Sequence, residues 1–399
     1  MIAPGAWLGV LGGGQLARMF AMAAHRLGYR VAAVDPDPEC PAAGVVDRYI
    51  CATLQEPEAW QELATLCAAV TIETENVPGA ALRFLGARIR VAPDATALEI
   101  AQDRGLEKQF LAAHGVPVAP FRVLATAADL GAPDIDSFFF PGLLKACRFG
   151  YDGKSQIAVS SAAQLERAFA QLGGPCVLEQ RVALAAELSV IVARSADGSS
   201  AVHPVPMNHH AAGILDLSVV PAPLSARLQR EAVAQALRIA TALDYRGVLC
   251  VEYFLDTAGR LLVNEIAPRP HNSGHFTIDA CRTSQFEQQV RVLAGLPLGD
   301  AGLVHAQGAV VMANLLGEVW TAGDPDWTSV LSHPDARLHL YGKRLPRPGR
   351  KMGHITCLAD SVEVAQRAAV AIRWRLAHSP DPRSPASRLA APGNAEPVV

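Results

Sequence analysis

Residues 247–268 read GVLCVEYFLDTAGRLLVNEIAP, two apolar runs joined by the polar turn DTAGR, and each run carries one acid, Glu252 and Glu265. Short runs rich in Val, Leu, Tyr and Phe, split by a glycine-bearing turn, predict an antiparallel hairpin. If the turn closes a four-residue loop, Asp256 pairs with Leu261 and Glu252 falls directly opposite Glu265 on the same face. Two bare carboxylates so placed repel each other, and a half-buried sheet tolerates them when a cation bridges them; Mg2+ holding nucleotide phosphates is the usual tenant. Asn264 and Asn272 stand nearby as oxygen ligands or phosphate donors. A plainer reading, with one glutamate on a solvated face, stays open at this point.

Outward from this pair the chain alternates strand and helix signals without a repeat. Upstream, ELSVIVARS is extended, and residues 225–243 carry apolar positions at helical spacing. Further upstream FFFPGLLKA, QIAVS and PCVLEQ read as strands, with a helix at SAAQLERAFAQL, so this stretch is α+β. The first ninety or so residues differ. There WLGVL, YRVAAVD and AAVTIE alternate with amphipathic segments at 15–27 and 56–67, the βαβ rhythm of a parallel α/β sheet. Downstream of about residue 302, GAVVMANLLG, ARLHLYGK and KMGHITCLA predict strands of a smaller, β-rich third unit closed by a helix over 361–376. The expected division is 1–95, 96–300 and 301–377. A Pro-, Ser- and Ala-rich tail at 378–399 has no apolar period and is expected to be disordered.

Other stretches point to anions. In GVLGGGQLA a strand runs into Gly12, Gly14 and Ala17 at the GxGxxA spacing, and Asp35 ends the next strand. Such a turn brings backbone N–H groups to a phosphate at a helix N-terminus, which by itself fits an NAD(P) site, another phosphate, or bare strand-to-helix packing. CRFGYDGKSQ sets two glycines among Arg148, Tyr151, Asp152 and Lys154, a cationic loop able to fold over a triphosphate, or else an ordinary charged hairpin. Lys145 lies in the apolar run GLLKA and calls for an anion or a route to the surface. The residues alone give Glu179 and Glu187 no more standing than surface acids.

Composition narrows the classes. Of 399 residues, 50% are hydrophobic and 18% charged, with a net charge of -3, which is globular composition without the basic field a polynucleotide requires. The eight cysteines form neither a CxxC pair nor a Cys/His spacing, so no disulfide framework or zinc site is expected. With no signal-peptide pattern and no apolar run of membrane-spanning length, a cytoplasmic protein without a membrane partner is the expectation.

With these residues in view, the chain resembles the ATP-grasp superfamily, and within it the N5-carboxyaminoimidazole ribonucleotide synthetase family of purine biosynthesis, over residues 5–377. The motifs that carry the resemblance are LGGGQLARM, TENVP, FGYDGKSQ, NHHAAGILDLSVVPAP, NEIAPRPHNSGHFTIDACRTSQFE and YGKRLPRPGRKMGHI. It implies a pre-ATP-grasp domain, an ATP-grasp domain and a small C-terminal domain. It also implies that ATP, bicarbonate and 5-aminoimidazole ribonucleotide give the N5-carboxylated ribonucleotide, ADP and phosphate through carboxyphosphate, in an enzyme expected to be a homodimer.

Carried over residue by residue, the resemblance puts Lys108 and Lys145 on ATP phosphates, Glu179 and Val182 on adenine, Glu187 on ribose and His210 in the phosphate region with Asn264. Glu252 and Glu265 become the Mg2+ ligands. Gly14, Gln15 and Leu16 would offer N–H groups to the single 5′-phosphate of the ribonucleotide rather than to a dinucleotide, joined by Lys343 and Arg350. Glu75, Tyr151, Asp152, Lys154, Arg269, His271 and Asn272 would surround imidazole and ribose, with Asp152, Lys154, Arg269 and His271 cast as catalytic. Phe149 and Ser155 stand where the family commonly has glycine, and Gln180 where it usually has lysine; His209 and Ala211 are atypical neighbours of His210. A dehydrogenase reading would use only the first thirty-five residues and leave the acidic strands idle.

Overall fold

The computed structural model describes residues 1–131, 135, 137–148, 150 and 155–378. Phe149, Tyr151, Asp152 and Lys154, and residues 379–399 of the expected tail, lie outside the described residues.

The first sheet is parallel throughout, in the order Arg48–Cys51, Arg30–Asp35, Trp7–Leu11, Ala69–Ile72, Arg90–Val91. Its strands are apolar on both faces, as a sheet covered by helices on both sides must be. Leu8, Val10, Val31 and Ala33 pack with Leu16 and Phe20 of helix Gln15–Arg26 and with Phe286 and Val290 of helix Gln285–Ala294. The alternate residues Leu11, Ala32, Val34 and Ile72 pack with Leu63 and Leu82 of helices Pro57–Leu66 and Gly79–Gly86. Each Val, Leu, Ile or Phe side chain so removed from water contributes about 1.5–3 kcal/mol. The helix at 285–294, remote in sequence, thereby belongs to the core of the first sheet.

A small antiparallel sheet follows, ordered Phe121–Leu124, Cys176–Gln180, Gly142–Ala146, Gln156–Val159. Helix Ala162–Leu172 lies on it, started by Ser161, whose hydroxyl accepts from the Gln164 N–H, and stopped by Gly173 at φ +67. The expected FFFPGLLKA strand is shorter than its aromatic residues suggested. Residues 137–139 form a 3-10 turn, Phe140–Pro141 is cis, and pairing starts at Gly142.

The largest sheet has nine strands, and the acidic hairpin Gly247–Asp256 and Leu261–Ala267 forms one edge. Across it follow Leu184–Arg194, Met207–Ala211, Ile214–Val220, Ala309–Leu316, Lys351–Ala359 and Ala336–Leu340, and the ninth strand, Ser200–Val202, pairs with Leu184–Arg194 off this path. The strands expected as a separate small unit therefore continue the central sheet, through the pairing of Leu217 with Ala313 and Val220 with Val310. Helix Val362–His378 covers this end and takes in His378, the first residue of the expected tail. Period-2 alternation sorts the other end into two faces. Leu249, Val251 and Tyr253 pack under helix Ala226–Ala242, while Cys250 and Ile191 face Val292. Glu252 shares the face of Cys250, away from the long helix.

Among the described residues no helix is long and apolar enough to cross a membrane. All eight cysteines are free, seven of them buried.

Candidate active site

Glu252 and Glu265 are direct cross-strand partners. The route to that register differs from the simple turn. Leu255, not Asp256, pairs with Leu261, and the ladder stays in this register through Tyr253 and Val263. A bulge at Asn264 then restores the opposition of the two acids. Asp256 instead organises the turn, accepting from the N–H groups of Ala258 and Arg260. Asn264, lifted out of the ladder, leaves its buried Oδ1 without a protein partner, while its carbonyl accepts from Lys108 Nζ at 2.8 Å.

Each acid meets a cation. Glu265 is 2.8 Å from Arg104, which also donates to the carbonyl of Gly150 at 3.2 Å. Burial opposes the Glu265 charge, but Arg104 outweighs it and holds the carboxyl well below the usual carboxylate range. Glu252 is 2.8 Å from His271 Nε2, whose Nδ1 meets Ser273 Oγ at 2.9 Å. Burial would lower His271, yet the neighbouring Cys250 thiol and Glu252 carboxylate raise it to about 10. Cys250, Glu252 and His271 bring their donor atoms within 4.8 Å of one another, a grouping across strand and turn that cysteine spacing could not reveal.

Deeper in, Lys108 is 1% and Glu179 2% exposed. Glu179 is thus no surface acid. It sits 2.9 Å from Lys145 and 3.4 Å from Lys108, and these ammoniums overcome the burial penalty to hold it at about 2. Arg104 is met by Glu265, and Lys108 and Lys145 share this one carboxylate, which leaves an excess of positive charge. Lys145 accordingly falls below its ordinary value, through burial first and through repulsion by Lys108 and Arg104. A buried cationic surplus of this kind favours an incoming polyphosphate. Val182 is half-buried just beyond this strand. Glu187 reaches His210 on the adjacent strand, and this partner raises His210 against the effect of burial. Two residues expected to touch ribose and phosphate region are therefore paired to each other.

On the side of the first sheet, Arg269 is 2.8 Å from Glu75 while its Nε is buried without a partner. Asn272, 6% exposed, has both amide atoms unpartnered. The glycine turn holds a surprise. Gly14 N–H donates to Glu73 at 2.7 Å and Ala17 N–H to the same carboxylate at 3.2 Å. A Cβ at Gly14 would stand 2.5 Å from Glu73 Oε1, and Gly12 at φ +103 leaves equal room, so these glycines admit an internal carboxylate. Of the three N–H groups expected to meet phosphate, Gly14 is engaged by Glu73; those of Gln15 and Leu16 open the helix, where no intrahelical acceptor exists. Lys343 donates to the carbonyl of Lys351 and Arg350 to that of Leu345. Tyr341, two residues before Lys343, is buried in the cluster that holds Leu16 and Phe20, and Arg344 pairs with Glu39, which fastens this stretch to the first sheet.

Arg104, Glu107 and Glu73 escaped the sequence reading. Arg104 lies four residues before Lys108 on helix Arg104–Ala113, hence on the same face, which was a usable signal. Glu107, 2% exposed, accepts from Ile266 N–H and is pushed up to about 8 by burial and by Glu265. Glu73 follows the last residue of a parallel strand, where ligand-facing groups collect.

Paired acids on an antiparallel sheet, a buried lysine from a second small sheet with another from the helix Arg104–Ala113, and a preceding parallel domain are the arrangement of an ATP-grasp enzyme. Family models agree in order along the chain: a ribonucleotide synthetase preATP-grasp domain over residues 6–102, an ATP-grasp domain over 109–286, and a phosphoribosylaminoimidazole carboxylase C-terminal domain over 310–368. The chain is 42% identical to N5-carboxyaminoimidazole ribonucleotide synthase of Bacillus subtilis, over 89% of this chain and 92% of that one. Among solved structures it is similar to the Staphylococcus aureus N5-carboxyaminoimidazole synthetase complexed with ADP (TM-score 0.86, 32% identity, 93% of this chain and 98% of that one). It is likewise similar to the Aspergillus clavatus synthase in complex with ADP and 5-aminoimidazole ribonucleotide (TM-score 0.82, 30% identity, 93% and 99%). The chain belongs to the N5-carboxyaminoimidazole ribonucleotide synthase family.

Proposed function

We propose that this chain is a carbon–nitrogen ligase that carboxylates 5-aminoimidazole ribonucleotide to N5-carboxyaminoimidazole ribonucleotide at the expense of ATP, with bicarbonate as the carbon source. The observation that carries the reading is the opposition of Glu252 and Glu265, with the buried Lys108 and Lys145 sharing the single carboxylate of Glu179 beside it.

Mg2+ fits the residues present. Two carboxylates and the unpartnered Asn264 Oδ1 form a hard, all-oxygen donor set, and Arg104 and His271 show that the two acids already draw cationic groups. Glu252 and Glu265 would hold the ion, which when bound neutralises polyphosphate charge. Lys108 and Lys145 take the phosphates of ATP, Glu179 and Val182 the adenine, Glu187 the ribose, and His210 stands toward the phosphates. A bicarbonate oxygen displaces ADP from the terminal phosphorus, and the resulting carboxyphosphate releases phosphate and CO2. The exocyclic amine forms the new N–C bond and loses a proton. Arg269, His271 and Asn272 hold the acceptor from the side of the central sheet, and Glu75, Gln15, Leu16, Lys343 and Arg350 from the side of the first. The unpartnered atoms of Arg269 and Asn272 support that placement. Asp152, Lys154 and Tyr151 complete the reading from the glycine-rich loop. A cytoplasmic homodimer is supported by the family resemblance.

Replacing Glu265 by Gln is expected to lower ADP release that depends on both bicarbonate and the ribonucleotide by about 100-fold or more. Unchanged turnover would remove the metal assignment. Hydride transfer to NAD(P) without ATP would remove the ligase reading altogether.

A further inference from the structure

Gln285 is fully buried at the start of helix Gln285–Ala294. Its carboxamide addresses both backbone groups of one residue: Oε1 accepts from His271 N–H at 2.9 Å, and Nε2 donates to His271 C=O at 2.8 Å. Nε2 also lies 3.1 Å from His275 Nδ1. The main-chain N–H of Gln285 donates to Thr277 Oγ1, which donates to Gly274 C=O. Gly274 is bare because a Cβ there would come within 2.6 Å of Gln285 Oε1 and 2.2 Å of Ile191 Cδ1. The turn carrying His271 and Asn272 is thus built around this one amide. A turn farther along the helix, Gln289 donates to Thr71 Oγ1 at 3.0 Å and Ile72 C=O at 3.3 Å, at the end of the first-sheet strand that leads to Glu73 and Glu75. The same helix therefore grips the residues on both sides of the proposed acceptor site.

We infer that Gln285 is a positioning residue for carboxylation: by fixing the His271 backbone it sets His271 and Asn272 between the acidic strand pair and the first sheet. This rests on the functional reading above. A carboxamide is the group for the task, since it offers one acceptor and one donor in a plane at fixed spacing, matching an extended peptide. A carboxylate of equal size would keep the acceptor for His271 N–H but set a second acceptor oxygen against the His271 carbonyl.

The helix contains its own control. Gln288, also fully buried, clamps Gly299 in the same manner, donating to its C=O at 2.7 Å and accepting from its N–H at 3.1 Å. The test compares full-length wild type, Gln285→Glu and Gln288→Glu with Mg2+, ATP, bicarbonate and the ribonucleotide, reading ADP release and thermal midpoint. Gln285→Glu is expected to lower kcat/KM for the ribonucleotide by about 10- to 100-fold with the KM for ATP held within about twofold. Gln288→Glu is expected to lower the midpoint to a similar extent with kcat/KM held within about threefold. Equal kinetics in the two variants would overturn the proposal. If Gln285→Glu does not fold, Gln285→Met is judged against Gln288→Met by the same criterion. Wild type lacking bicarbonate- and ribonucleotide-dependent turnover would remove the functional reading and this proposal with it. Normal wild-type turnover with matched variants removes the proposal alone.

Discussion

At the acidic strand pair the chain supplies negative charge and meets it with cations, Arg104 on Glu265 and His271 on Glu252; at the glycine turn it supplies N–H groups and meets them with the Glu73 carboxylate. Both regions complete their electrostatics internally, but by different means. The strand pair uses long side chains from other segments, so its partners can be exchanged while the sheet stays put. At the turn, a carboxylate lies against backbone so closely that glycine is required. Charge set on a ladder is adjustable; charge set on backbone amides is a matter of shape.

The sharpest way to probe the first region is to remove the acid that holds its lysines. Glu179→Gln leaves Lys108 and Lys145 buried without the carboxylate they share and is expected to cost about 3–5 kcal/mol, read from urea unfolding without nucleotide. A loss below about 1 kcal/mol would show that these lysines find other anions or water. The second region is probed by shape. Gly14→Ala puts a methyl 2.5 Å from Glu73 Oε1 and is expected to cost about 1–3 kcal/mol; a neutral result would mean that Glu73 swings aside freely.

Proton linkage gives a subtler contrast. Glu107 is raised to about 8, by burial first and then by Glu265. A carboxyl raised on folding contributes stability fully present below its unfolded value near pH 4.3 and lost as pH climbs through about 8. Stability of the nucleotide-free chain should therefore decline across that window, and Glu107→Gln should flatten the decline; parallel pH profiles would contradict it. The smallest effect is expected at Ser155, whose φ of +59 lies in the left-handed region that favours glycine, the residue common there in the family. Ser155→Gly should raise the thermal midpoint slightly, by no more than about 1 kcal/mol equivalent, and a fall would show that the hydroxyl stabilises the bend.

The opposition of Glu252 and Glu265 was legible because a period of two and a short turn constrain register strongly. Its details were not, since the shift at Leu255 and the bulge at Asn264 cancel and leave the same pairing of acids. Glu179 could not be recognised as buried, because the lysines that neutralise it come from 34 and 71 positions away in the chain. The glycine turn was conspicuous yet ambiguous: its spacing announces an anion, and the anion in place is Glu73, from a strand that gave no sign of it. Phe138–Phe140 read as strand through aromatic propensity, but residues 137–139 close a 3-10 turn and pairing starts only at Gly142. The C-terminal strands were found as strands, but sequence carries no mark of which edge they join.

That edge has a bearing on engineering. Since Ile214–Val220 and Ala309–Leu316 are hydrogen-bonded neighbours, cutting the chain between them would bare two long apolar borders rather than separate two modules. A chimera that exchanges only the last ninety residues would have to rebuild a β-ladder across parental boundaries. Grafts between relatives should place their junctions outside that seam, in the connection to the first sheet.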